Sequence, residues 1–348
     1  MKILLIRLSA IGDVIHALPV AKATRERYPK AEITWIVEDK AKDLVIGNPN
    51  IDNLIILPKE EWKRDFKNNK WSTIKKARSF FKKLKKHKFD IALDVHGLFK
   101  SGLTAYLSGA KKRVGPANGR EGSTLFYQQK VKLPTTEIHQ IDRNLQIAQG
   151  IDVKTDSVAF DIILSKEEEK MVAQILKELG LDSDKPLITI NPYTSWSSKN
   201  WLNRRWAEVA DNLIKDLNCE VIFTGSPADR AGVSEIIELM EERSYNLAGK
   251  TNLKELAGIY DRADLFIGCD TGPMHLAVAM ETPVIALFGP TNPVTHGPYG
   301  DNNIVLKGDT PCKCCWKRVC QHNKECMKAI SVNNLLEAVN LMLRSEFE

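Results

Sequence analysis

The chain has 348 residues, more than one hydrophobic core ordinarily serves, so two domains are the starting expectation. Hydrophobic residues make up 43% and charged residues 27%, which excludes a disordered or collagen-like chain. No run of about 18 apolar residues occurs, which excludes a membrane-spanning helix. The formal net charge of +6 is concentrated: residues 59–90 hold 13 Lys or Arg against 4 Asp or Glu, and the rest of the chain is net acidic.

The opening MKILLIRLSAIGDVIHALPV has the apolar tone of an export signal, but Arg7 and Asp13 interrupt it and no small-residue cleavage site follows. A cytoplasmic protein is therefore expected. Residues 2–8 form a compact apolar run suited to a buried parallel strand, residues 9–13 a loop, and an amphipathic helix is expected from there to about Tyr28. Strands recur at 32–37, 53–57 and 90–95, separated by helical stretches that include the basic 72–88. This alternation predicts a parallel sheet with helices on both faces. Residues 109–134, rich in Gly and basic residues, read as a loop region with room for one short strand, and a helix over 139–150 closes the first half.

After the 150–161 stretch, residues 165–179 read as a charged amphipathic helix and 182–186 as a turn. The strand–helix rhythm then restarts. Strands are predicted at 187–191, 220–224, 265–268 and 283–288, and helices at 203–217, 228–242, 253–261, 273–280 and 332–343. Two successive doubly wound domains are the economical reading.

In open parallel sheets, ligands bind beyond the carboxyl ends of the strands, so the loops after strands are the places to look for chemistry. The first, Ser9 to Asp13, lacks the G-x-G-x-x-G pattern, which occurs nowhere in the chain and so argues against a Rossmann dehydrogenase. Asp13 stands where a helix N-cap belongs. It is equally a carboxylate able to take a proton from an acceptor hydroxyl. Thr194, Ser195 and Lys199 follow the strand at 187–191, and two hydroxyls with an ammonium suit a phosphate, unless the loop is merely polar. Asp270, Thr271, Gly272 and His275 follow the strand at 265–268. There Gly272 permits a tight turn, Pro273 fits a first helical turn, and free N–H groups at the helix start would attract a diphosphate. Asp270 or Thr271 as a plain N-cap and His275 as a packing residue form the alternative.

Five cysteines, Cys312, Cys314, Cys315, Cys320 and Cys326, follow the spacing C-x-C-C-x4-C-x5-C. Cys312, Cys315, Cys320 and Cys326 could hold zinc or an iron–sulfur cluster. With one C-x-x-C and no second paired knuckle, metal-free thiols are the expectation, and a cytoplasmic setting argues against stable disulfides.

Together these segments resemble the ADP-heptose:lipopolysaccharide heptosyltransferases along nearly the whole chain. The resemblance is carried by Arg7-Leu8-Ser9-Ala10-Ile11-Gly12-Asp13-Val14-Ile15-His16, and by Asp270-Thr271-Gly272-Pro273-Met274-His275-Leu276 followed by PVIALFGP at 283–290. It implies the GT-B fold: two Rossmann-like doubly wound parallel-sheet domains facing a central cleft. Residues 1–160 would bind the acceptor and 161–330 the ADP-sugar donor, with a C-terminal helix at about 331–348 returning to the first domain. It implies catalytic roles for Asp13, as base, and for Lys199, at the leaving phosphate. Donor contacts would come from Thr194, Ser195, Lys199, Thr251, Asp270, Thr271, Gly272 and His275, with Asp229 toward the ribose. Acceptor contacts would come from Trp62, Lys63, Arg64, Arg120, Glu121, His139 and Arg143, and the opening motif together with the His139-x-x-x-Arg143 spacing looks like type I.

The implied reaction is inverting transfer of L-glycero-D-manno-heptose from ADP-heptose to Kdo of the lipopolysaccharide inner core, the acceptor being a Kdo–lipid A. The enzyme would be a cytoplasmic monomer held peripherally on the inner membrane by its basic stripe. No Asp-x-Asp motif presents itself in the loops after strands, so no metal or other cofactor is expected. Heptosyltransferase II, or another GT-B enzyme acting on a sugar nucleotide, is the alternative. A nucleic-acid-binding protein using residues 59–90 ranks lower, because it leaves the second-half loops without purpose and aromatics do not interleave the stripe as stacking platforms; Phe80 and Phe81 read as core anchors.

Overall fold

A computed structural model of the chain describes residues 1–344 apart from Asp156, Asp182, Ser183 and Lys313. The turn expected at 182–186 lies in part outside the described residues, as does the end of the C-terminal stretch 331–348. The chain divides into two compact units, Met1–Ile163 and Leu164–Glu348.

In the first unit the apolar run KILLI forms β1 (Lys2–Ile6), buried at nearly every position as a central parallel strand must be. The expected single helix to Tyr28 is two: α1 (Ile11–Ile15) and α2 (Leu18–Arg27), which begins afresh with Pro19 in its first turn. β2 (Glu32–Glu38) and β3 (Asn53–Leu57) follow. A helix not read in the sequence, α3 (Lys59–Asn68), precedes the basic helix expected at 72–88, which is α4 (Lys70–Lys86), capped by the Asn69 side chain accepting the Ser72 N–H. β4 (Ile91–Asp94) and α5 (Phe99–Leu107) come next. Residues 109–134 contain two strands rather than one, β5 (Lys112–Pro116) and β6 (Gln129–Val131). Their short, basic sequences, KRVGP and QKV, carry little of the apolar patterning that marks a strand. α6 (Gln140–Ala148) closes the unit, capped by the His139 ring, whose Nδ1 accepts the Ile141 N–H at 3.2 Å.

The second unit opens with α7 (Lys166–Leu179), whose Ser165 and Glu168 form a capping box. It continues through β7 (Leu187–Asn191), α8 (Asn203–Leu217), β8 (Glu220–Phe223), α9 (Arg230–Glu238), β9 (Tyr245–Asn246), α10 (Leu253–Tyr260), β10 (Leu265–Cys269), α11 (Gly272–Ala279), β11 (Val284–Phe288), α12 (Pro293–His296), β12 (Asn303–Lys307), α13 (Glu325–Lys328) and α14 (Val332–Arg344). β9 and β12 went unread in the sequence, the first because it has two residues, the second because it is an edge strand with half its face in solvent. α14 packs against α8, β11 and β12 of its own unit.

Both sheets are six-stranded and parallel. Their orders are β3-β2-β1-β4-β5-β6 and β12-β11-β10-β7-β8-β9. Each is the doubly wound Rossmann order, with its switch point between β1 and β4 in one and between β7 and β10 in the other. Each unit buries its own apolar core, around Trp35 and Phe89 in the first and around Trp206 and Phe223 in the second.

Candidate active site

At the switch point of the first sheet, Ile6 of β1 lies beside Asp94 of β4, so the loops after these strands adjoin. Asp13 is not the N-cap of α1. Ala10 holds that place, and Asp13 is the third helical residue, its Oδ2 reaching back to accept the Ala10 N–H at 3.2 Å. Its Oδ1 pairs with Arg7 Nη2 at 2.7 Å. Arg7 is almost wholly buried, donates Nη1 to the Val95 carbonyl at 2.9 Å, and finds no hydrogen-bond partner for Nε among the described residues. A buried guanidinium thus fixes the carboxylate's position while leaving it about a third exposed.

The loop after β4 is built by Asp94, whose Oδ1 accepts the N–H groups of His96 and Gly97 and whose Oδ2 accepts the Tyr127 hydroxyl at 2.6 Å. Burial raises the Asp94 pKa, and these hydrogen bonds oppose that rise. Gly97 takes φ +74°, and a Cβ there would stand 2.8 Å from Pro116 Cγ, so glycine lets the loop turn beneath Arg143. His96 accepts the Leu8 N–H on Nδ1 at 3.3 Å, which places its proton on Nε2. Burial, with the charges of Arg7 and Lys100, depresses its pKa to about 2, so the ring stays neutral.

Further cations gather here. Arg143 Nη1 shares the Val95 carbonyl at 3.4 Å, and burial beside Arg7 and Arg120 lowers its pKa to about 10. The Arg120 backbone is tied to Gly97. Lys100 Nζ donates to Ser9 Oγ and to Glu38, both at 2.7 Å, and Glu38 also receives Lys59. The His139 ring meets the His16 ring edge-on at 5.2 Å. Of the expected acceptor residues, Arg120 on the loop after β5, His139 at the N-cap of α6 and Arg143 in its first turns therefore lie near Asp13. Lys63 and Arg64 are exposed on α3, and among the described residues no hydrogen bond or ion pair ties them to that cluster. Lys59 makes the link from α3 instead. Arg7, His96 and Lys100 had no role assigned from sequence. His96 sits one residue past a correctly placed strand, so the rule of reading loops after strands could have found it.

At the second switch point, Asn191 of β7 pairs with Gly268 of β10. Lys199 Nζ reaches Asp270 Oδ2 at 2.7 Å and the Asp270 carbonyl at 3.3 Å, and lies 4.6 Å from the centre of the Trp196 ring. Thr194 is occupied within its own loop, bonding Asn200 and Trp196, while Ser195 is exposed. Thr271 caps α11 by position and offers no side-chain cap bond. Gly272 is the first residue of α11, and its φ lies outside the left-handed region. His275 is buried one turn in, its N–H on the Thr271 carbonyl at 3.4 Å. All seven expected residues of these two loops sit at adjoining strand ends.

Thr251 and Asp229 lie farther along the same edge, beyond β9 and β8. Gly249 (φ +72°) donates its N–H to the Gly225 carbonyl, and a Cβ on it would stand 2.6 Å from Pro227 Cα, so the two loops touch through a glycine. Asp229 Oδ2 accepts from both the N–H and hydroxyl of Ser226.

Among the described residues, two polar atoms at this edge are buried with no hydrogen-bond partner: Asn191 Oδ1 and Thr291 Oγ1. Buried polar atoms are seldom left so unless a ligand or water completes them. The cysteine-rich segment runs beside them. Arg318 and Lys317 carbonyls accept from Ser198, the Trp316 N–H bonds the Pro290 carbonyl, and the Arg318 guanidinium stacks on Trp196 at 5.6 Å. Cys320 Sγ accepts the N–H groups of His322 and Lys324, and burial pushes the Cys326 thiol up to about 11. Among the described residues, no three His, Cys, Asp or Glu side chains are grouped to hold a metal ion. Arg318 and this strap could not be read from sequence, since irregular chain has no periodicity.

Comparison with known proteins bears on this arrangement. The profile of Glycosyltransferase family 9 (heptosyltransferase) matches residues 77–325. The chain is 33% identical to the lipopolysaccharide core heptosyltransferase OpsX of Haemophilus influenzae, over 86% of this chain and 83% of that protein. It is 27% identical to lipopolysaccharide heptosyltransferase 1 of Pseudomonas aeruginosa, over 92% and 88%. Its fold is similar to that of a family 9 glycosyl transferase from Veillonella parvula, with a TM-score of 0.84 at 25% identity, covering 99% of this chain and 97% of that one.

Proposed function

The chain belongs to glycosyltransferase family 9, the heptosyltransferases, and on that premise we propose that it transfers heptose from ADP-heptose to a Kdo residue of the lipopolysaccharide inner core, as a type I enzyme does. The observation that carries the acceptor side is the Asp13 carboxylate, held by buried Arg7 among Lys100, Arg120 and Arg143. Kdo is itself a carboxylate sugar on a phosphorylated lipid, and a base ringed by cations suits an anionic acceptor.

In this mechanism the second unit holds the donor. The diphosphate lies at the start of α11, where the N–H groups of Gly272 and Met274 and the helix dipole favour negative charge. Lys199 approaches it from the Asp270 pair, with Thr271, Ser195 and His275 nearby and Thr194 shaping the loop. Thr251 and Asp229 meet the nucleoside. In the first unit Arg120, Arg143 and His139 orient the acceptor, and Lys63 and Arg64 draw it in from α3. Asp13 takes the proton of the acceptor hydroxyl late, as the oxygen bonds the anomeric carbon and ADP departs with inversion. Lys199 and α11 offset the charge growing on the leaving phosphate. No metal takes part, and the enzyme works as a monomer at the cytoplasmic face of the inner membrane.

The test is transfer to Kdo–lipid A read by mass spectrometry of the lipid. Asp13→Ala should lower turnover by about 10²- to 10⁴-fold while ADP affinity is unchanged, and excess EDTA should leave the wild-type rate intact. Undiminished turnover in the variant removes Asp13 as the base.

A further inference from the structure

The helix pair α3–α4 carries more than charge. On α4, Trp71, Ile74, Arg78 and Lys82 recur at helical spacing along one stripe, opposite the face that buries Thr73 and Leu84. Trp71 is 82% exposed, the barest tryptophan among the described residues' exposed apolar side chains, and Ile74 is 41% exposed beside it. Phe66, at the end of α3, is 46% exposed, with Lys70 Nζ 5.7 Å from its ring centre. These three bare apolar side chains sit at the α3–α4 corner, flanked by exposed Lys63, Arg64, Lys67, Lys70 and Lys75. By contrast, Trp62, Phe80 and Phe81 turn inward and pack on one another, so the unit's core does not need the exposed three.

Connectivity says which end of the unit this corner occupies. α4 leads into the amino end of β4, so its own first turn lies toward the carboxyl edge of the sheet. That is the edge bearing Asp13, and α3 is tied to it through Lys59, Glu38, Lys100 and Ser9.

We propose that the α3–α4 corner seats the first unit on an anionic lipid bilayer, with Trp71, Ile74 and Phe66 entering the interfacial region and the surrounding Lys and Arg side chains meeting lipid phosphates. Charge complementarity selects this occupant. A surface that is cationic at its rim and apolar at its centre matches a bilayer whose face is anionic and whose interior is apolar, and tryptophan is favoured at that boundary. An attachment by charge alone would have no use for an exposed tryptophan. The proposal deepens the acceptor reading above, since a lipid-borne acceptor would be met at the carboxyl edge that faces the membrane, but its test does not depend on turnover.

The experiment is sedimentation of the full chain with vesicles of phosphatidylglycerol and phosphatidylcholine against vesicles of phosphatidylcholine alone. Binding to the anionic vesicles is expected, with loss of about tenfold or more of the partition coefficient in Trp71→Ala/Ile74→Ala. Brominated lipids should quench wild-type fluorescence more than that of Trp71→Phe. Circular dichroism checks that the variants remain folded. Equal binding by wild type and Trp71→Ala/Ile74→Ala, no extra quenching in wild type, or binding of oligonucleotides in place of vesicles overturns the proposal. Vesicle binding without heptose transfer would instead overturn the reaction and leave the bilayer seat standing. Transfer to detergent-dispersed acceptor that survives Trp71→Ala/Ile74→Ala separates seating from chemistry.

Discussion

Single side chains decide how the loop after β1 behaves. Arg7 and Asp13 are six residues apart, one on the strand's extension and one inside a helix, and the ion pair between them at 2.7 Å pins the loop that joins the two. His96 makes a prediction about pH. Its pKa is near 2 in the folded protein against an ordinary 6.5, so between those values the unfolded chain binds a proton that the folded one refuses. The stability this gives is complete above about pH 6.5 and is lost as pH falls, by about 1.4 kcal/mol per pH unit at most. Urea unfolding of wild type and His96→Gln at pH 7.5, 6.0 and 5.0 should show the wild type losing more stability on acidification than the variant. Parallel pH curves would mean that His96 is not buried neutral.

Elements place these side chains by ending where they do. α1 starts at Ile11, and that start puts Asp13 in its first turn, able to bond Ala10 and Arg7 together. In the second unit the loops after β8 and β9 depend on Gly249, whose left-handed backbone lies against Pro227. Gly249→Val should cost about 1–3 kcal/mol in urea unfolding, because the backbone conformation is strained for a β-branched residue and its Cβ meets backbone. It should also weaken ADP binding in calorimetric titration by disturbing the loop that carries Asp229. Unaltered ADP affinity in a destabilised variant would detach these two loops from the nucleotide. Long periodic elements were legible: β3, β7 and α8 lie where the apolar pattern put them. The break inside the first helical stretch was not, because residues 16–17 end α1 and begin α2 without interrupting the apolar spacing.

At the scale of the whole chain, each unit has its own complete sheet and its own buried core. If the second unit alone holds the donor, then residues 164–348 expressed by themselves should bind ADP. At one hundred times its Kd, ADP should raise that unit's unfolding free energy by about 2.7 kcal/mol and leave residues 1–163 unshifted. A shift confined to the first unit would exchange the two assignments.

What the sequence determined by itself was the repeated strand–helix rhythm, the doubly wound class and the loops where chemistry gathers, because apolar periodicity and strand-end position are local properties of the chain. The Asp270 partner of Lys199, 71 residues away, the buried Arg7 behind Asp13, the neutral His96 and the strap around 316–320 were decided only by tertiary structure. Each depends on which strands become neighbours and on how completely water is removed, and neither quantity is written in the spacing of residues along a chain.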